Sequence, residues 1–431
     1  MAILTSLFTG VSGLNAFGNG LSVVSNNIAN LNTVGFKNSS VTFSDIISSV
    51  GVASGGQIGR GVFVNNIKSD FSQGSFESSG NVLDLAVEGD GFFIMHNVDG
   101  SEFYTRAGTF HLNQNGIIEN PDNLRLQGTQ FDVNGVSTGV VGDIDLSSTT
   151  IPPIATTDIR VVANLDSRAA IPAAFAVATP TTTSNFSTSL TVFDSLGSGH
   201  QVNLYFRKSV NAPAGNTWEF FAVVDAADSA TGAAEVMATG TLTFGPDGTL
   251  QSESAVTYPL GGFDFAGNPI QDQIVTFNLG TNVTAEAGSG LDGITQFGSA
   301  STVLNQAQNG SPDGALQSIS VSSDGQLTGL FSNGRSRTIA QVQVARFNNS
   351  QGLEKAGNNL FIISTSSGQP ISGNPQTAGR GKILGNSLEL SNVDLAEQFV
   401  KMIEYQRGFQ ANSRVITTTD DILNELVNLR R

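Results

Sequence analysis

The three histidines, His96, His111 and His200, are the side chains best suited to proton transfer or metal binding near neutral pH. They are far apart in the chain, and no HExxH motif or other ligand spacing joins them. The chain has no cysteine, which excludes thiolate nucleophiles, disulfides and cysteine-based zinc sites. We therefore expect each histidine to be an ordinary surface or strand residue.

Carboxylates and serines give no stronger indication of catalysis. The segment EGDG (88–91) places two carboxylates at a turn, but it lacks the alternating oxygen ligands and the closing Glu of an EF-hand loop. Serine is too abundant for any Ser/His/Asp combination to be informative, and the sequence has no GxSxG, P-loop or GxGxxG motif. The sequence predicts a non-enzyme with no catalytic residue, no cofactor and no metal.

The composition limits the kinds of partner that the chain can bind. Charged residues make up 13% of its 431 residues, about half the usual share, and the formal net charge is −16. This balance argues against nucleic acid and against anionic membrane surfaces, which both require clustered Lys and Arg. The sequence has no apolar run of about 18 residues, and its N-terminus lacks the basic region of a signal peptide. We expect no membrane insertion and no cleaved signal peptide.

The N-terminal segment has no charged residue before Lys37. Apolar residues recur over residues 3–31 at steps of three and four, which predicts an amphipathic helix. Its other face carries Ser, Asn and Gly, which suit a helix that has neighbours on nearly every side. Its glycines each cost about 1 kcal/mol relative to Ala, so the helix must depend on packing. The predicted packing residues are Leu7, Val11, Leu14, Phe17, Leu21, Val24, Ile28 and Leu31.

The C-terminal segment 392–429 also predicts one long helix, with Ser391 and Asp394 as a capping pair at its start. Because both ends of the chain are amphipathic and of similar length, we expect them to pair in a coiled coil. Two independent surface helices are the alternative. The predicted packing residues of the second helix are Leu395, Phe399, Met402, Phe409, Ile416 and Leu423.

Between these helices the sequence predicts short strands separated by Gly, Asn and Asp turns. Hairpins are expected through Gly197–Gly199 and through Gly245–Gly248. The predicted fold class is α+β, with long terminal helices that enclose nested, discontinuous all-β domains of the barrel or sandwich kind. The predicted domains are a helical domain (1–35 plus 390–431), a connector (36–75), an inner β domain (76–149 plus 291–389) and an inserted outer β domain (150–290).

Three stretches resemble the flagellar rod–hook axial protein family. The first is SNNIANLNTVGFK (25–37), which carries the family motif at Asn26, Asn27, Asn30, Gly35 and Phe36. The others are the β segment at 83–93 and 104–128 and the C-terminal segment 385–429. The resemblance covers both ends and much of the inner β domain, whereas residues 150–290 agree more in position than in motif.

The resemblance implies a structural subunit that assembles with itself into a curved helical tube. In that family the terminal helices pack against copies in neighbouring subunits, and the hook of the bacterial flagellum acts as a universal joint between rod and filament. The expected partners are further copies of the chain, the distal rod protein at one end and the hook–filament junction protein at the other. During assembly the hook cap and the flagellar type III export apparatus are further expected partners. The expected location is the extracellular hook of the flagellum.

Length and the inserted block favour a hook subunit over the shorter distal rod subunit of the same family, which stays as the alternative. Two other classes remain open on the residues alone. An extracellular β-domain adhesin would bind through residues 180–285 and would not need residues 1–31. A secreted β-hydrolase would need acidic residues clustered around a cleft.

Overall fold

The computed structural model describes residues 2–47, 59–147, 150–210, 216–259, 262–268, 272–284 and 287–428. Within these ranges the chain is mostly β, with one long helix near each end, α1 (Ala2–Ala29) and α2 (Leu395–Asn428). This arrangement confirms the predicted α+β class with terminal helices. Neither helix is long and apolar enough to cross a membrane in its described part.

The strands up to residue 147 are β1 (Ser39–Ile47), β2 (Gly59–Ser69), β3 (Phe76–Ser78), β4 (Leu85–Glu88), β5 (Phe92–His96), β6 (Glu102–Thr105), β7 (His111–Leu112), β8 (Ile118–Glu119), β9 (Arg125–Phe131) and β10 (Ser137–Asp143). Those from residue 150 to 308 are β11 (Thr150–Ile151), β12 (Asp158–Asn164), β13 (Phe186–Phe193), β14 (Gly199–Val210), β15 (Asn216–Val224), β16 (Glu235–Phe244), β17 (Leu250–Glu253), β18 (Thr276–Asn278) and β19 (Thr302–Gln308). The remaining strands are β20 (Gly314–Val321), β21 (Gln326–Phe331), β22 (Ser336–Val342), β23 (Val344–Arg346), β24 (Glu354–Gly357), β25 (Leu360–Ile362), β26 (Ile371–Gly373), β27 (Lys382–Gly385) and β28 (Ser387–Glu389).

The first compact unit comprises residues 1–149, 318–330 and 336–431 and contains both helices. Its main sheet runs in the order β21-β22-β9-β5-β6-β25-β24, and two short strand pairs, β27 with β4 and β28 with β3, lie beside it. Aromatic side chains fill part of its core, where Phe92 makes edge-on contacts with Phe71, Phe347 and Phe361. The strand β28 ends only a few residues before α2, so this unit positions the start of that helix.

The second compact unit comprises residues 150–317 and 331–335. It contains a five-stranded antiparallel sheet, β13-β14-β15-β16-β17, and a three-stranded sheet, β18-β12-β19. The two expected hairpins are present as β13–β14 and β16–β17. The sequence placed the end of this block at residue 290, but the unit extends to Gln317, because β19 pairs with β12 over most of its length.

The segment 36–75 was expected to be a connector, and much of it is an antiparallel hairpin of β1 and β2. The Gly/Ser-rich stretch between the two strands, residues 48–58, lies outside the described residues. The hairpin lies along α1, where the backbone N–H of Val62 donates to Ser12 Oγ at 3.2 Å. The first helix therefore has β structure on one flank as well as a helix on another.

The start of α2 differs in detail from the predicted capping pair. Asp394 Oδ1 accepts the backbone N–H groups of Ala396 and Glu397 at 2.8 and 3.2 Å, so Asp394 is the N-cap residue. Ser391 Oγ is buried without a hydrogen-bond partner in the described part of the chain. The prediction of a Ser391–Asp394 pair was wrong because Asp394 alone satisfies two of the free N–H groups at the helix start.

Candidate assembly interface

Glycines on α1 form the surface on which the two terminal helices approach each other. A side chain added at Gly10 would lie 3.1 Å from Ile416, one at Gly13 2.5 Å from the Asn412 amide, and one at Gly20 3.0 Å from the Tyr405 ring. A side chain at Gly408 on α2 would in turn meet the ring of Phe17 at 2.8 Å. The helices therefore pack closely because glycine occupies the contact positions.

The contacts between α1 and α2 follow one antiparallel register. Ser6 Oγ lies 3.4 Å from Thr419 Oγ1 near one end, and Asn27 Nδ2 donates to Gln398 Oε1 at 3.0 Å near the other. The contact positions on α1 are spaced by three, four or seven residues, the spacing of one helix face. We call this glycine-rich surface between α1 and α2 the helix seam, and it consists of Ser6, Gly10, Gly13, Phe17, Gly20, Asn27, Gln398, Tyr405, Gly408, Asn412, Ile416 and Thr419.

An aromatic cluster joins the helix seam to the hairpin. The ring centroids of Phe17 and Tyr405 are 6.2 Å apart, and Phe43 of β1 lies 5.7 and 5.8 Å from them. These tilted and edge-on arrangements are the favoured geometries of aromatic pairs. The cluster therefore fixes the hairpin against both helices.

The faces of the helices that point away from the seam expose large apolar side chains. On α1 the Phe8 side chain is 66% exposed, and on α2 Val400 is 66% exposed. Phe399, Ile403 and others continue the exposed surface along α2. Large exposed apolar side chains that follow one another along a helix, such as those of α2, are typical of a protein–protein contact.

The predicted packing residues divide between the seam and the open surface. Phe17 and Ile416 contact the seam, and Val24 is buried. The exposed members are Val11, Leu395, Phe399 and Phe409. The half-buried members are Leu7, Leu14, Leu21, Ile28, Leu31, Met402 and Leu423. The sequence pattern thus found an apolar stripe, but it did not reveal that glycines lie among the contact positions between the two helices.

Asn27 connects the end of α1 to the hairpin and to α2. Its side chain is fully buried and makes a double hydrogen bond with the backbone of Ser39, donating to the carbonyl oxygen at 2.8 Å and accepting the N–H at 2.9 Å. The same amide donates to Gln398. A side-chain amide presents a donor and an acceptor in one plane, as this pair of backbone bonds requires. Gln has the same amide group, but its side chain is longer. This geometry gives the second motif asparagine a definite structural role.

The other motif residues shape the turn that follows α1. Asn30 Nδ2 donates to the Asn26 carbonyl oxygen at 2.9 Å, whereas the Asn26 side chain stays exposed. Gly35 has a φ of 69° and donates its N–H to the Glu389 carbonyl oxygen at 2.8 Å. A Cβ at Gly35 would clash with the backbone of Ala107, so this close approach requires glycine. Phe36 is buried beneath the ammonium group of Lys355, which lies 5.5 Å from the ring centroid.

A buried ion cluster, Lys37–Glu389–Arg106, lies directly beyond the motif. Glu389 Oε1 accepts Lys37 Nζ at 2.6 Å, and Oε2 lies 3.4 Å from Arg106 Nη1. The carboxylate also accepts Gln73 Nε2 and the backbone N–H of Gly74, both at 2.9 Å. Burial lowers the pKa of Lys37 and that of Arg106, and the nearby carboxylate opposes both shifts. The cluster therefore ties the chain after α1 and the strand before α2 to the β core.

Sequence reasoning missed this cluster. The only local signal was that Lys37 is the first charged residue of the chain. Residues 37, 106 and 389 are distant in sequence, and no short motif joins them. Their association appears only when β28 pairs with β3 and places Glu389 opposite Phe76.

The histidines occupy three separate places. His96 Nε2 lies 3.2 Å from Glu102, and His111 Nε2 lies 3.6 Å from Glu119, both at the surface. His200 is buried in the second unit, where its two ring nitrogens lie 3.4 Å from Asp194 and 3.3 Å from Asp228. Among the described residues, no three His, Asp or Glu side chains form a group suited to a metal ion.

Four family models match successive parts of the chain. Residues 7–37 match the model for the flagella basal body rod protein, and residues 86–164 match the flagellar hook protein FlgE/F/G D1 domain. Residues 164–311 match the flagellar basal body protein FlaE D2 domain, and residues 385–429 match the C-terminal model of the flagellar basal body rod FlgEFG proteins. The matched ranges thus include both helices and strands of both compact units.

Full-length relatives agree with these matches. The flagellar hook protein FlgE of Treponema pallidum is 32% identical over 468 residues and covers all of both chains. That of Salmonella typhimurium is 33% identical over 426 residues, with 97% of this chain and 98% of the relative covered. A crystal structure of Helicobacter pylori flagellar hook protein FlgE2 covers 73% of this chain and 100% of its own, with a TM-score of 0.47 and 14% identity.

Proposed function

This chain belongs to the flagellar hook protein family and is a structural subunit of the hook, and we propose that its exposed helix faces are the surfaces through which it polymerises. The observation that supports this proposal is that each terminal helix uses one face to contact the other helix and leaves another face exposed. Glycines, small polar residues and a few apolar side chains of the seam make the contact within one chain, and this leaves Phe8, Phe399 and Val400 exposed. These side chains become buried only if another copy covers them.

The absence of charge on α1 supports the same assignment. A chain with a net charge of −16 repels further copies of itself wherever acidic surfaces meet. The described part of α1 carries no charged side chain, so copies can approach there without like charges facing each other. We place the family's subunit contacts at Leu7, Val11, Leu14, Leu395, Phe399 and Phe409, together with the other predicted packing residues.

The proposed architecture of the polymer follows the nested plan. The antiparallel helix pair, supercoiled as a coiled coil, forms the inner tube, and the strands of the first unit form a shell around it. The second unit forms the outer surface, where neighbouring copies slide past each other as the hook bends. Each copy contacts the next through a different surface, and in this proposal the contacts do not close into a ring. The result is an open helical polymer.

The proposed role is that of a universal joint that passes torque from the rod to the filament. Its partners are the distal rod protein, the hook–filament junction protein and, during assembly, the hook cap. Export proceeds through the flagellar type III apparatus. We propose no enzymatic activity, no cofactor and no nucleic-acid or membrane partner.

Immunogold electron microscopy of sheared flagella, with antibody against residues 180–285, tests this function. We expect label on a short curved segment between the envelope and the filament. Label confined to the base would indicate the distal rod subunit, and label along the whole filament would indicate a flagellin-like role. Label on no appendage would contradict the proposal.

The contact surface itself is tested by Phe399→Asp, which places a charge in the exposed patch of α2. We expect the variant to fold and to leave the hook unassembled, since an unpaired buried charge opposes subunit contact. The control is Val98→Asp, because Val98 is 75% exposed in the first unit and belongs to neither helix. Normal assembly of Phe399→Asp would show that the patch is not a subunit contact.

A further inference from the structure

A polar cavity of the first compact unit lies beside the buried ion cluster. Its walls include Arg106, Arg346 and Asp90, together with Phe92 and Ser350, and we call it the arginine cavity. Its volume is about 180 Å³, and at about 30 Å³ per water this is room for a small polar group with a few waters. All of its lining residues belong to the first unit, so the cavity does not depend on the second one.

Arg106 is the buried arginine of this cavity, and its side chain is 3% exposed. Its Nη2 donates to the Gly89 carbonyl oxygen at 2.8 Å, and its Nη1 donates to the Val87 carbonyl oxygen at 3.2 Å. Its Nε–H is also buried, but it has no hydrogen-bond acceptor in the described part of the chain. A buried donor without an acceptor is unfavourable, so this N–H is a candidate donor to a bound group.

The charges around the arginine cavity do not balance. Lys37 and Arg106 are both buried and share one carboxylate, that of Glu389. Arg346 is half-buried without an ion-pair partner in the described ranges, and Asp90 is exposed at the cavity wall. Burial lowers the pKa of Arg106, and the charges of Glu389 and Asp90 oppose that shift. Three cations thus share two carboxylates, and one positive charge is in excess.

This excess of one charge favours a carboxylate over a more highly charged anion. A carboxylate carries a single negative charge and balances the excess, whereas a doubly charged phosphate would also be repelled by Asp90 and Glu389. Asp90 does not supply the missing acceptor itself, because its carboxylate hydrogen-bonds to neither arginine in the described structure. The additional carboxylate has to come from another molecule.

We infer that the arginine cavity binds the carboxylate of an acidic side chain from a second copy of this chain. Guanidinium groups bind carboxylates through short, charge-assisted hydrogen bonds, and two arginines line this one cavity. The chain has 36 acidic side chains and only 20 Lys and Arg, so each copy presents acidic groups in excess. That the carboxylate belongs to a second copy rests on the proposed function, because polymerisation brings copies into contact.

Acetate, as a probe for a carboxylate, tests the site on the full-length chain before it polymerises. We expect about 0.3 M sodium acetate, in place of the same concentration of sodium chloride, to raise the midpoint of thermal unfolding by about 2 °C, because a ligand of the folded state stabilises it. Arg346→Gln should lose this shift. The matched control Arg160→Gln removes the same charge from an exposed position of the second unit and should keep it.

The critical concentration for seeded polymerisation, measured by sedimentation, tests the source of the carboxylate. We expect Arg346→Gln to raise it about tenfold, because the acidic side chain of the next copy loses a charge-assisted partner. Arg346→Lys should raise it about threefold, since lysine keeps the charge but lacks the planar fork. Acetate should raise the critical concentration of the wild type by competing for the cavity and should leave that of Arg346→Gln unchanged. Arg160→Gln should polymerise like the wild type.

The carboxylate site is overturned if acetate shifts the unfolding midpoints of the wild type and of Arg346→Gln equally. If acetate stabilises only the wild type but Arg346→Gln polymerises at the wild-type concentration, the second copy is overturned as the source, and the site binds a free anion. Failure of the wild-type chain to polymerise would instead contradict the proposed function. The failures are distinguishable because the acetate measurement uses the unpolymerised chain.

Discussion

Glu389 illustrates how single residues hold together segments that are remote in the chain. It is fully buried and accepts hydrogen bonds from Lys37, Gln73 and the Gly74 backbone, while Arg106 lies within ion-pair distance. Its own backbone carbonyl also accepts the N–H of Gly35. A buried charge is tolerated only when such partners surround it. The carboxylate is therefore the centre on which the turn after α1 depends.

We expect Glu389→Gln to lower the free energy of unfolding by about 3–5 kcal/mol, because it leaves two buried cations without their common counter-charge. Lys37→Met should cost less, about 2 kcal/mol, since Arg106 still balances the carboxylate. Urea unfolding of the full-length chain measures both values. An equal or larger loss for Lys37→Met would show that Glu389 is not the centre of the cluster.

The pH dependence of stability should carry the signature of Lys37. Burial lowers its pKa from 10.5 in the folded chain, so the unfolded chain holds the proton more tightly. At pH values between the pKa of Lys37 in the folded chain and 10.5, the unfolded state binds more protons than the folded state. The contribution of Lys37 to the free energy of unfolding therefore rises with pH in this range. Below the folded pKa both states are protonated and the contribution is constant.

The measurement compares the wild type with Lys37→Met at a series of alkaline pH values. We expect the difference in the free energy of unfolding to shift in favour of the wild type as pH increases toward 10.5. Other groups that titrate in this range are common to both chains and cancel in the difference. A difference that stays constant, or shifts toward the variant, contradicts the lowered pKa.

At the scale of elements, the glycines of α1 have different functions although they look alike in the sequence. Gly10, Gly13 and Gly20 face α2, whereas a side chain added at Gly18 would meet nothing within 4 Å. Helix propensity treats all of these positions as equally unfavourable. The seam compensates for that cost, because it lets the helices approach at positions where larger side chains would keep them apart.

We expect Gly18→Ala and Gly408→Ala to change stability in opposite directions. Gly18→Ala should raise the free energy of helix unfolding by about 1 kcal/mol through better propensity alone. Gly408→Ala has the same gain, but its Cβ would meet the Phe17 ring at 2.8 Å and disturb the aromatic cluster, for a net loss of about 1 kcal/mol. Thermal unfolding of the polymer, followed by far-ultraviolet circular dichroism, compares them. Stabilisation by both would show that the seam is loosely packed.

The sequence predicted the existence and the approximate length of both helices, because apolar periodicity over nearly thirty residues is a strong signal. It did not single out the glycines at their contact, since a scale of hydrophobicity gives glycine no weight as a packing residue. The hairpin of β1 and β2 was also missed, although the run Val62-Phe63-Val64 consists of β-branched and aromatic residues that favour a strand. The Gly/Ser-rich stretch beside these residues had favoured a connector between the helix and the β domain.

At the scale of the whole molecule, the predictable features join residues that are close in sequence, and the unpredictable ones join residues that are far apart in sequence. The hairpins around Gly197 and Gly248 are local, and turn chemistry was sufficient to place them. The ion cluster and the pairing of β12 with β19 join residues more than a hundred positions apart. No pattern in a single sequence encodes such contacts. For the same reason the predicted end of the second unit, residue 290, differs from its end in the structure, Gln317.

The last prediction concerns the independence of the two compact units. The second unit leaves and returns to the rest of the chain through neighbouring strands, since Thr150 pairs with Ala315 and Ile151 with Gly314. Ile154 and Ser311 continue this ladder, each donating its N–H to the other's carbonyl oxygen at 2.9 Å. Paired residues in antiparallel strands lie about 5 Å apart, a gap that a two-residue turn closes.

We therefore expect a chain in which Asn-Gly replaces residues 155–310 to fold and to polymerise. Both helices, the ion cluster and the proposed packing residues all belong to the first unit, so the contacts that drive assembly remain. Circular dichroism should retain the helical signal, and electron microscopy should show a thinner tube that lacks the outer surface. The control is the same deletion with Phe399→Asp, which should fold and not polymerise. If the deletion alone abolished polymerisation while the helical signal remained, the second unit would be part of the assembly interface and not only its outer layer.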